Sequence, residues 1–90
     1  MNETQIFFWT DRAGHAYCDL RLRGGHWHLE WGYRDPPGGD NYMQQGERET
    51  SVQEDALAWM LDRVQAMSDE PEERQRVEAK LRESLQAMEA

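Results

Sequence analysis

The sequence predicts an α+β fold: an antiparallel meander of three or four strands, followed by two α-helices, the first packed on one sheet face. All seven glycines and eight of the nine aromatic residues lie in residues 1–50, whereas residues 51–90 hold no glycine and one proline. Apolar and polar residues alternate in the first half, and apolar residues recur at helical spacing in the second. A chain of 90 residues suits one small domain, with the sheet in residues 1–46 and the helices in residues 51–90.

The first strand is predicted where four β-forming residues, Ile6, Phe7, Phe8 and Trp9, follow one another. Strict alternation places Ile6 and Phe8 on one side and Phe7 and Trp9 on the other. Since helices cover only one face, two large apolar residues are expected on the second face, near Tyr17. Such a patch is typical of an interface, with Phe8, Trp9 and Tyr17 as candidate anchors, unless a later loop or a bent strand covers it.

A hairpin follows, because two alternating segments flank Gly24 and Gly25, a pair typical of a two-residue turn. With this turn, Arg23 lies opposite His26 and every apolar residue meets an apolar one. The apolar pairs are Leu22 with Trp27, Leu20 with Leu29, Cys18 with Trp31, and Ala16 with Tyr33. A shift of one residue would destroy the match, so this register is predicted, and these eight residues form the face that the first helix covers.

Two segments are predicted to interrupt the strands. Asp11 and Gly14 fit a turn between the first two strands. Residues 35–40 contain two prolines and two glycines and are expected to form a loop. Residues 41–45 fit either a short fourth strand or an extension of that loop, and both possibilities stay open.

The first helix is predicted to begin at Ser51 and to end near Met67. Ser51 and Glu54 have the spacing of a capping box, in which the hydroxyl caps the helix and the carboxylate reaches back. The segment has a broad apolar face, which is suited to packing on a sheet.

The second helix is predicted after a break that contains Pro71, a residue tolerated in a first helical turn. Asp69 with Glu72 would cap it. Its apolar residues form a narrow stripe amid charged positions: Val77, Leu81, Leu85 and Met88. A narrow stripe docks lightly on the domain or pairs with the same helix of a second copy, which would make a homodimer.

Charge and cysteine content restrict the possible partners and compartment. With 18 acidic and 10 basic residues the formal net charge is −8, which disfavours direct binding to nucleic acid or to anionic membranes. The single Cys18 has no partner for an internal disulfide and is predicted to be a core thiol. Residues 1–5 lack the basic start of a signal peptide, so a cytoplasmic location is expected, with no cofactor.

Four acidic residues are close together at the predicted turn between the helices: Asp69, Glu70, Glu72 and Glu73. Acids at a helix start are favoured by the helix dipole, which is a structural explanation for most of them. The functional alternative is that they steer a partner with a basic surface towards the protein.

The polar side of the hairpin is the candidate site for metal binding or acid–base chemistry. The predicted register places His26, His28 and Glu30 on one face of one strand, with Asp19 opposite Glu30. Two imidazoles and a carboxylate are ligands that zinc accepts. The alternative is a solvated face on which Arg21 or Arg23 screens the two carboxylates. No nucleophile motif and no phosphate-binding loop occur in the sequence, so we expect no catalysis.

These observations favour a small acidic, non-catalytic protein-binding module. In its most concrete form it is an inhibitor that docks on a basic, nucleic-acid-handling protein complex. In size and charge the chain is similar to the anti-CRISPR proteins of phages, a similarity of composition that no motif supports. The alternatives are a metal-binding or catalytic module that uses the histidine face, and a structural homodimer paired through its C-terminal helices.

Overall fold

The computed structural model describes residues 3–89, so the first two residues and the last residue of the predicted domain lie outside the described residues. The predicted α+β fold is confirmed. Four antiparallel strands lie in the order β1-β2-β3-β4, and two helices follow. The elements are β1 (Glu3–Thr10), β2 (Ala16–Arg23), β3 (His26–Arg34), β4 (Tyr42–Thr50), α1 (Gln53–Met67) and α2 (Glu73–Glu89).

The register of the β2–β3 hairpin is the predicted one at every position, from Arg23 opposite His26 to Ala16 opposite Tyr33. Its turn depends on glycine, because φ is +56° at Gly24 and +82° at Gly25. These values fit a type I′ turn, which matches the twist of its strands and requires positive φ at both central residues, a conformation that other residues rarely adopt.

The open question about residues 41–45 is answered by a fourth strand longer than that segment. β4 runs for nine residues, past the predicted sheet boundary at residue 46. It contains a bulge, since Trp31 pairs with Gly46 but Gly32 pairs with Gln44. Gly46 lies beneath the Trp31 ring, and a Cβ there would be 2.5 Å from a ring carbon, so the strand needs a glycine at this contact.

A second bulge, in β1, overturns the strict alternation predicted there. The register shifts between Gln5 and Phe7, so Ile6 is in the core with 8% of its surface exposed. Phe7 also packs against the core, and Phe8 points away from it, opposite Asp19. The extra residue lets two successive side chains face the helices. The uncovered face therefore receives one large apolar residue from β1, where two were predicted.

Helix α1 ends at Met67 as predicted, but it does not begin with the predicted capping box. Its N-cap residue is Val52, which makes no side-chain cap hydrogen bond. Because β4 continues to Thr50, Ser51 lies in the short turn between strand and helix, and the Thr50 hydroxyl accepts the Val52 N–H at 3.1 Å. The helix buries five apolar side chains: Ala56, Leu57, Met60, Leu61 and Val64.

Helix α2 packs on α1 and on β1 of its own chain. Val77, Leu81 and Leu85 are buried there, and Met88 is exposed. Of the two alternatives for this stripe, the structure shows docking on the domain, because three of its four residues already lie in the core. At the turn before α2 the Ser68 hydroxyl, in place of the predicted Asp69 carboxylate, accepts a backbone N–H at 3.0 Å, that of Glu70.

The core lies between the sheet and the helices, and α1 packs on β2, β3 and β4. Of the eight residues predicted beneath α1, five are buried, Leu22 and Trp31 are partly buried, and Tyr33 is 39% exposed beyond the helix. Cys18 is fully buried, and burial together with the nearby charge of Asp19 raises the pKa of its thiol to about 12. Within residues 3–89, no helix has the length and apolar character needed to cross a membrane.

Candidate functional site

The sheet face opposite the helices, here called the outer face, is the main candidate site. An open cavity of about 650 Å³ lies over it, within the 300–1,000 Å³ range of many ligand sites. The side chains of this face alternate with those of the core along each strand. Its charged members, read from the strand registers, are Glu3, Asp19, Arg21, Arg23, Glu30, Arg34, Glu47 and Glu49. With neutral histidines, five carboxylates and three arginines give this face a net negative charge.

An aromatic cluster of Phe8, Tyr17 and Tyr42 borders the cavity. The Phe8 and Tyr17 rings stack with centroids 6.2 Å apart, and Tyr42 meets Tyr17 edge-on at 4.9 Å. Gly32 lies opposite Tyr17, and a Cβ there would be 2.2 Å from the carbonyl oxygen of Met43, so the bulged β4 backbone needs a glycine at this position. Tyr17 is 1% exposed, whereas Phe8 and Tyr42 are 36% and 44% exposed. Tyr17, predicted as an anchor, is therefore buried and supports the rings of Phe8 and Tyr42, which are the exposed members of the cluster.

Tyr17 also holds Glu30 in place. Its hydroxyl donates a hydrogen bond to Glu30 Oε2 at 2.5 Å. Burial, and then the hydrogen bond to Glu30 and the charge of that carboxylate, raise the pKa of Tyr17 well above its ordinary value. The phenol stays protonated at neutral pH, so it remains the donor and Glu30 the acceptor.

Three carboxylates lie side by side across β2, β3 and β4: Asp19, Glu30 and Glu47. Asp19, 8% exposed, accepts hydrogen bonds from Gln5 Nε2 at 2.9 Å and from Arg21 Nε at 2.7 Å. Glu47 lies 3.3 Å from Nε2 of His28. Within residues 3–89, no arginine, lysine or histidine nitrogen lies within 4.0 Å of the Glu30 carboxylate, which has only the neutral Tyr17 hydroxyl.

The predicted screening of this row by arginine occurs at one end of it. Arg21 bonds Asp19 and, at 3.0 Å, Glu3, which Arg23 also contacts at 3.1 Å. The hydrogen bond from Arg21 outweighs burial and, with the charges of both arginines, lowers the pKa of Glu3. Arg21 therefore compensates Asp19, and its contacts do not extend to Glu30.

The four candidate metal ligands lie on the outer face, but the structure does not bring them together. His26 lies 3.4 Å from Glu49, and His28 lies between Glu47 and Glu49. Asp19 and Glu30 have the separate partners described above. Among the described residues, no three histidine, cysteine, aspartate or glutamate side chains are arranged to hold a metal ion.

Trp9, predicted as an exposed anchor, is in the core at 4% exposure, so that prediction is wrong. Its indole Nε1 donates to Oε2 of Glu73 at 2.8 Å, and Glu73 is itself only 3% exposed. Burial acts to raise the pKa of Glu73, but hydrogen bonds from Arg76 and Trp9 and the charge of Arg76 together lower it. Trp9 and Glu73 thus belong to the packing of α2 on β1, and neither lies on a partner surface.

The rest of the predicted acidic patch lies at the turn between the helices. Asp69 and Glu72 are exposed, and Glu70 lies 3.5 Å from Arg12 of the β1–β2 turn. An exposed ion pair of this length contributes little stability. Asp69 and Glu72 therefore remain the members of the patch best placed to steer a partner.

Sequence reasoning missed Tyr42 and Gln5 as members of the outer face. The bulge in β4 hides the alternation that would have placed Tyr42 beside Tyr17, and the bulge in β1 does the same for Gln5.

Comparisons of the chain with protein-family models, with curated proteins and with solved structures found no match. The functional argument therefore depends on the geometry and charge of the outer face.

Proposed function

We propose that this protein is a non-catalytic binding module that docks through its outer face on a partner protein with a basic surface. The observation that carries the proposal is the exposure of Phe8 and Tyr42 on a face of net negative charge. Most other large apolar side chains are in the core. Aromatic anchors surrounded by polar groups are typical of the centre of an interface.

The polar groups of the outer face support the same proposal because they are held by one another before any partner arrives. Gln5 and Arg21 fix Asp19, and Tyr17 fixes Glu30. A preorganised surface loses less side-chain entropy when it binds. Asp69 and Glu72 add negative charge at the turn between the helices and favour fast association with a basic partner. The concrete form we favour is a cytoplasmic inhibitor of a nucleic-acid-handling complex, of the anti-CRISPR kind.

The test begins with capture of partners on the tagged protein from nuclease-treated lysate of its own cells, with mass spectrometry as the readout. The captured partner is then purified, and its affinity is measured by calorimetry for three double variants. Phe8→Ala with Tyr42→Ala is expected to weaken binding at least about tenfold, because interface anchors commonly contribute more than about 1–2 kcal/mol. Asp69→Lys with Glu72→Lys is expected to lower the association rate, which is measured by stopped-flow mixing with the same partner.

The matched control is Val52→Ala with Met88→Ala, which removes apolar side chains that are 50% and 46% exposed outside the outer face. It should leave affinity within about twofold of the unchanged protein. A partner with an acidic surface would contradict the proposal. So would a partner that binds the Phe8 and Tyr42 variant as tightly as the unchanged protein.

A further inference from the structure

Glu30 is a carboxylate that lines the cavity and has no cationic side chain within 4.0 Å among residues 3–89. Tyr17 occupies Oε2 of Glu30, and within residues 3–89 no side chain donates a hydrogen bond to its Oε1. The two carboxylates beside it, Asp19 and Glu47, have partners of their own. Like charges on directly opposite residues of neighbouring strands are unfavourable. A positive group that bound Glu30 would therefore remove a repulsion as well as form a new bond.

The borders of the cavity favour a particular kind of cation. Phe8 lies opposite Asp19 in the same row as Glu30, and its ring is 36% exposed. A guanidinium group is planar, stacks on aromatic rings and donates two parallel hydrogen bonds to a carboxylate. An ammonium group binds as a point charge and makes no planar stack.

The protein itself places guanidinium groups over aromatic rings in three places. Arg34 lies 5.2 Å from the centre of the Tyr42 ring, Arg48 lies 3.9 Å from that of Trp59, and Arg63 lies 5.0 Å from that of Trp31. Arg34 already contacts Tyr42, so Phe8 is the ring that is left for an incoming group.

We propose that the outer-face cavity binds an arginine side chain of the partner protein, with the guanidinium on Glu30 and against the ring of Phe8. The inference rests on the proposed docking function and specifies the group that the outer face recognises. It also gives a function to Glu30, whose contact within the described chain, the Tyr17 hydroxyl, leaves its negative charge uncompensated. The partner it implies presents an arginine at the centre of its basic surface.

The test needs no knowledge of the partner. N-acetyl-L-arginine methylamide is titrated into the isotope-labelled protein, and backbone amide shifts of β2 and β3 are followed by NMR. Weak, saturable binding at the outer face is expected. The citrulline analogue, which has the same length and no charge, should bind at least about tenfold more weakly, because a charge-assisted bond is lost. Glu30→Gln and Phe8→Leu should each weaken binding of the arginine probe, whereas Glu72→Gln, at an exposed carboxylate outside the cavity, should not.

Equal binding of the arginine and citrulline probes would overturn the inference, as would arginine binding that Glu30→Gln leaves unchanged. Equal affinity for N-acetyl-L-lysine methylamide would overturn the assignment to guanidinium. Failure here is distinguishable from failure of the docking proposal. A partner that depends on Phe8 and Tyr42, with no binding of the arginine probe, leaves docking intact and removes only the arginine site.

Discussion

On the covered face of the sheet, the side chains between strands and helices are apolar and almost fully buried, with Leu20, Met60 and Leu81 at 0% exposure. On the outer face of the same strands, carboxylates, arginines and partly exposed aromatic rings contact one another. The alternation of side chains along each strand is what allows one backbone to present both surfaces.

The difference shows which face stabilises the fold. Burying a large aliphatic side chain contributes about 1.5–3 kcal/mol, so the covered face supplies most of the favourable free energy. Exposed ion pairs such as Arg23 with Glu3 contribute little to stability, because solvent screens them. The adjacent carboxylates of Asp19, Glu30 and Glu47 repel one another. The outer face therefore contributes little to the stability of the fold.

The largest expected effect is on the covered face. Leu81→Ala should lower the free energy of unfolding by about 2–5 kcal/mol, measured by urea denaturation, because it opens a cavity where α2 meets the core. Met88→Ala, on the same helix but 46% exposed, should change it by less than about 0.5 kcal/mol. If Leu81 instead paired with a second copy, the loss would depend on protein concentration. Such a dependence would contradict the packing described here.

The next effect concerns the buried polar contact of Trp9 with Glu73, between β1 and α2. Glu73→Gln should lower the free energy of unfolding at pH 7 by about 1–3 kcal/mol, because it weakens the acceptor of Trp9 and Arg76. The folded-state pKa of Glu73 is lowered from 4.5, so its stabilisation is present above that pH and is lost as pH falls through the folded value. The difference in the free energy of unfolding between the unchanged protein and Glu73→Gln should therefore become smaller as pH falls through that value.

The measurement is urea denaturation of both proteins at several pH values between 7 and 3. Glu72→Gln, at the neighbouring exposed carboxylate, serves as the control and should show no such difference. Glu73→Gln could instead lower the free energy of unfolding by the same amount at the lowest pH as at pH 7. That result would show that the substitution removes side-chain packing and not a charge interaction.

The sequence was sufficient to predict the fold where patterns were regular. The β2–β3 hairpin could be predicted residue by residue, because Gly24-Gly25 fixes the turn and any slip would expose its apolar residues. The two strands at the edges of the sheet were harder. Each contains a bulge, and an extra residue reverses the alternation on one side of it. This is why Ile6 was wrongly predicted to share a face with Phe8, and why residues 41–45 were left undecided.

The candidate site was predicted only in part, for the same reason. Phe8, one of the three predicted anchors, lies on the outer face, but its neighbour Tyr42 comes from the strand whose alternation the bulge hides. Trp9 and Glu73 illustrate a different limit. They lie 64 positions apart in the chain, and the packing of α2 on β1 brings them together. No local pattern contains that contact, so an aromatic anchor and an acidic charge were both assigned to the surface.

The smallest expected effect on stability is at Glu30, on the outer face. Its expected direction is neutral or stabilising, opposite to that of substitutions on the covered face. Glu30→Gln should leave the free energy of unfolding unchanged or raise it by up to about 1 kcal/mol, because it removes repulsion from Asp19 and Glu47. The new amide oxygen still accepts a hydrogen bond from the Tyr17 hydroxyl, so no polar group loses its partner.

Any gain in the free energy of unfolding from Glu30→Gln should decline with added salt, which screens the carboxylates of the unchanged protein. Urea denaturation at low and high salt measures both effects. A loss of more than about 1 kcal/mol would place Glu30 among the groups that hold the fold together. A neutral or stabilising result, alongside lost affinity for the arginine probe, would identify Glu30 as a residue that favours binding at the expense of stability.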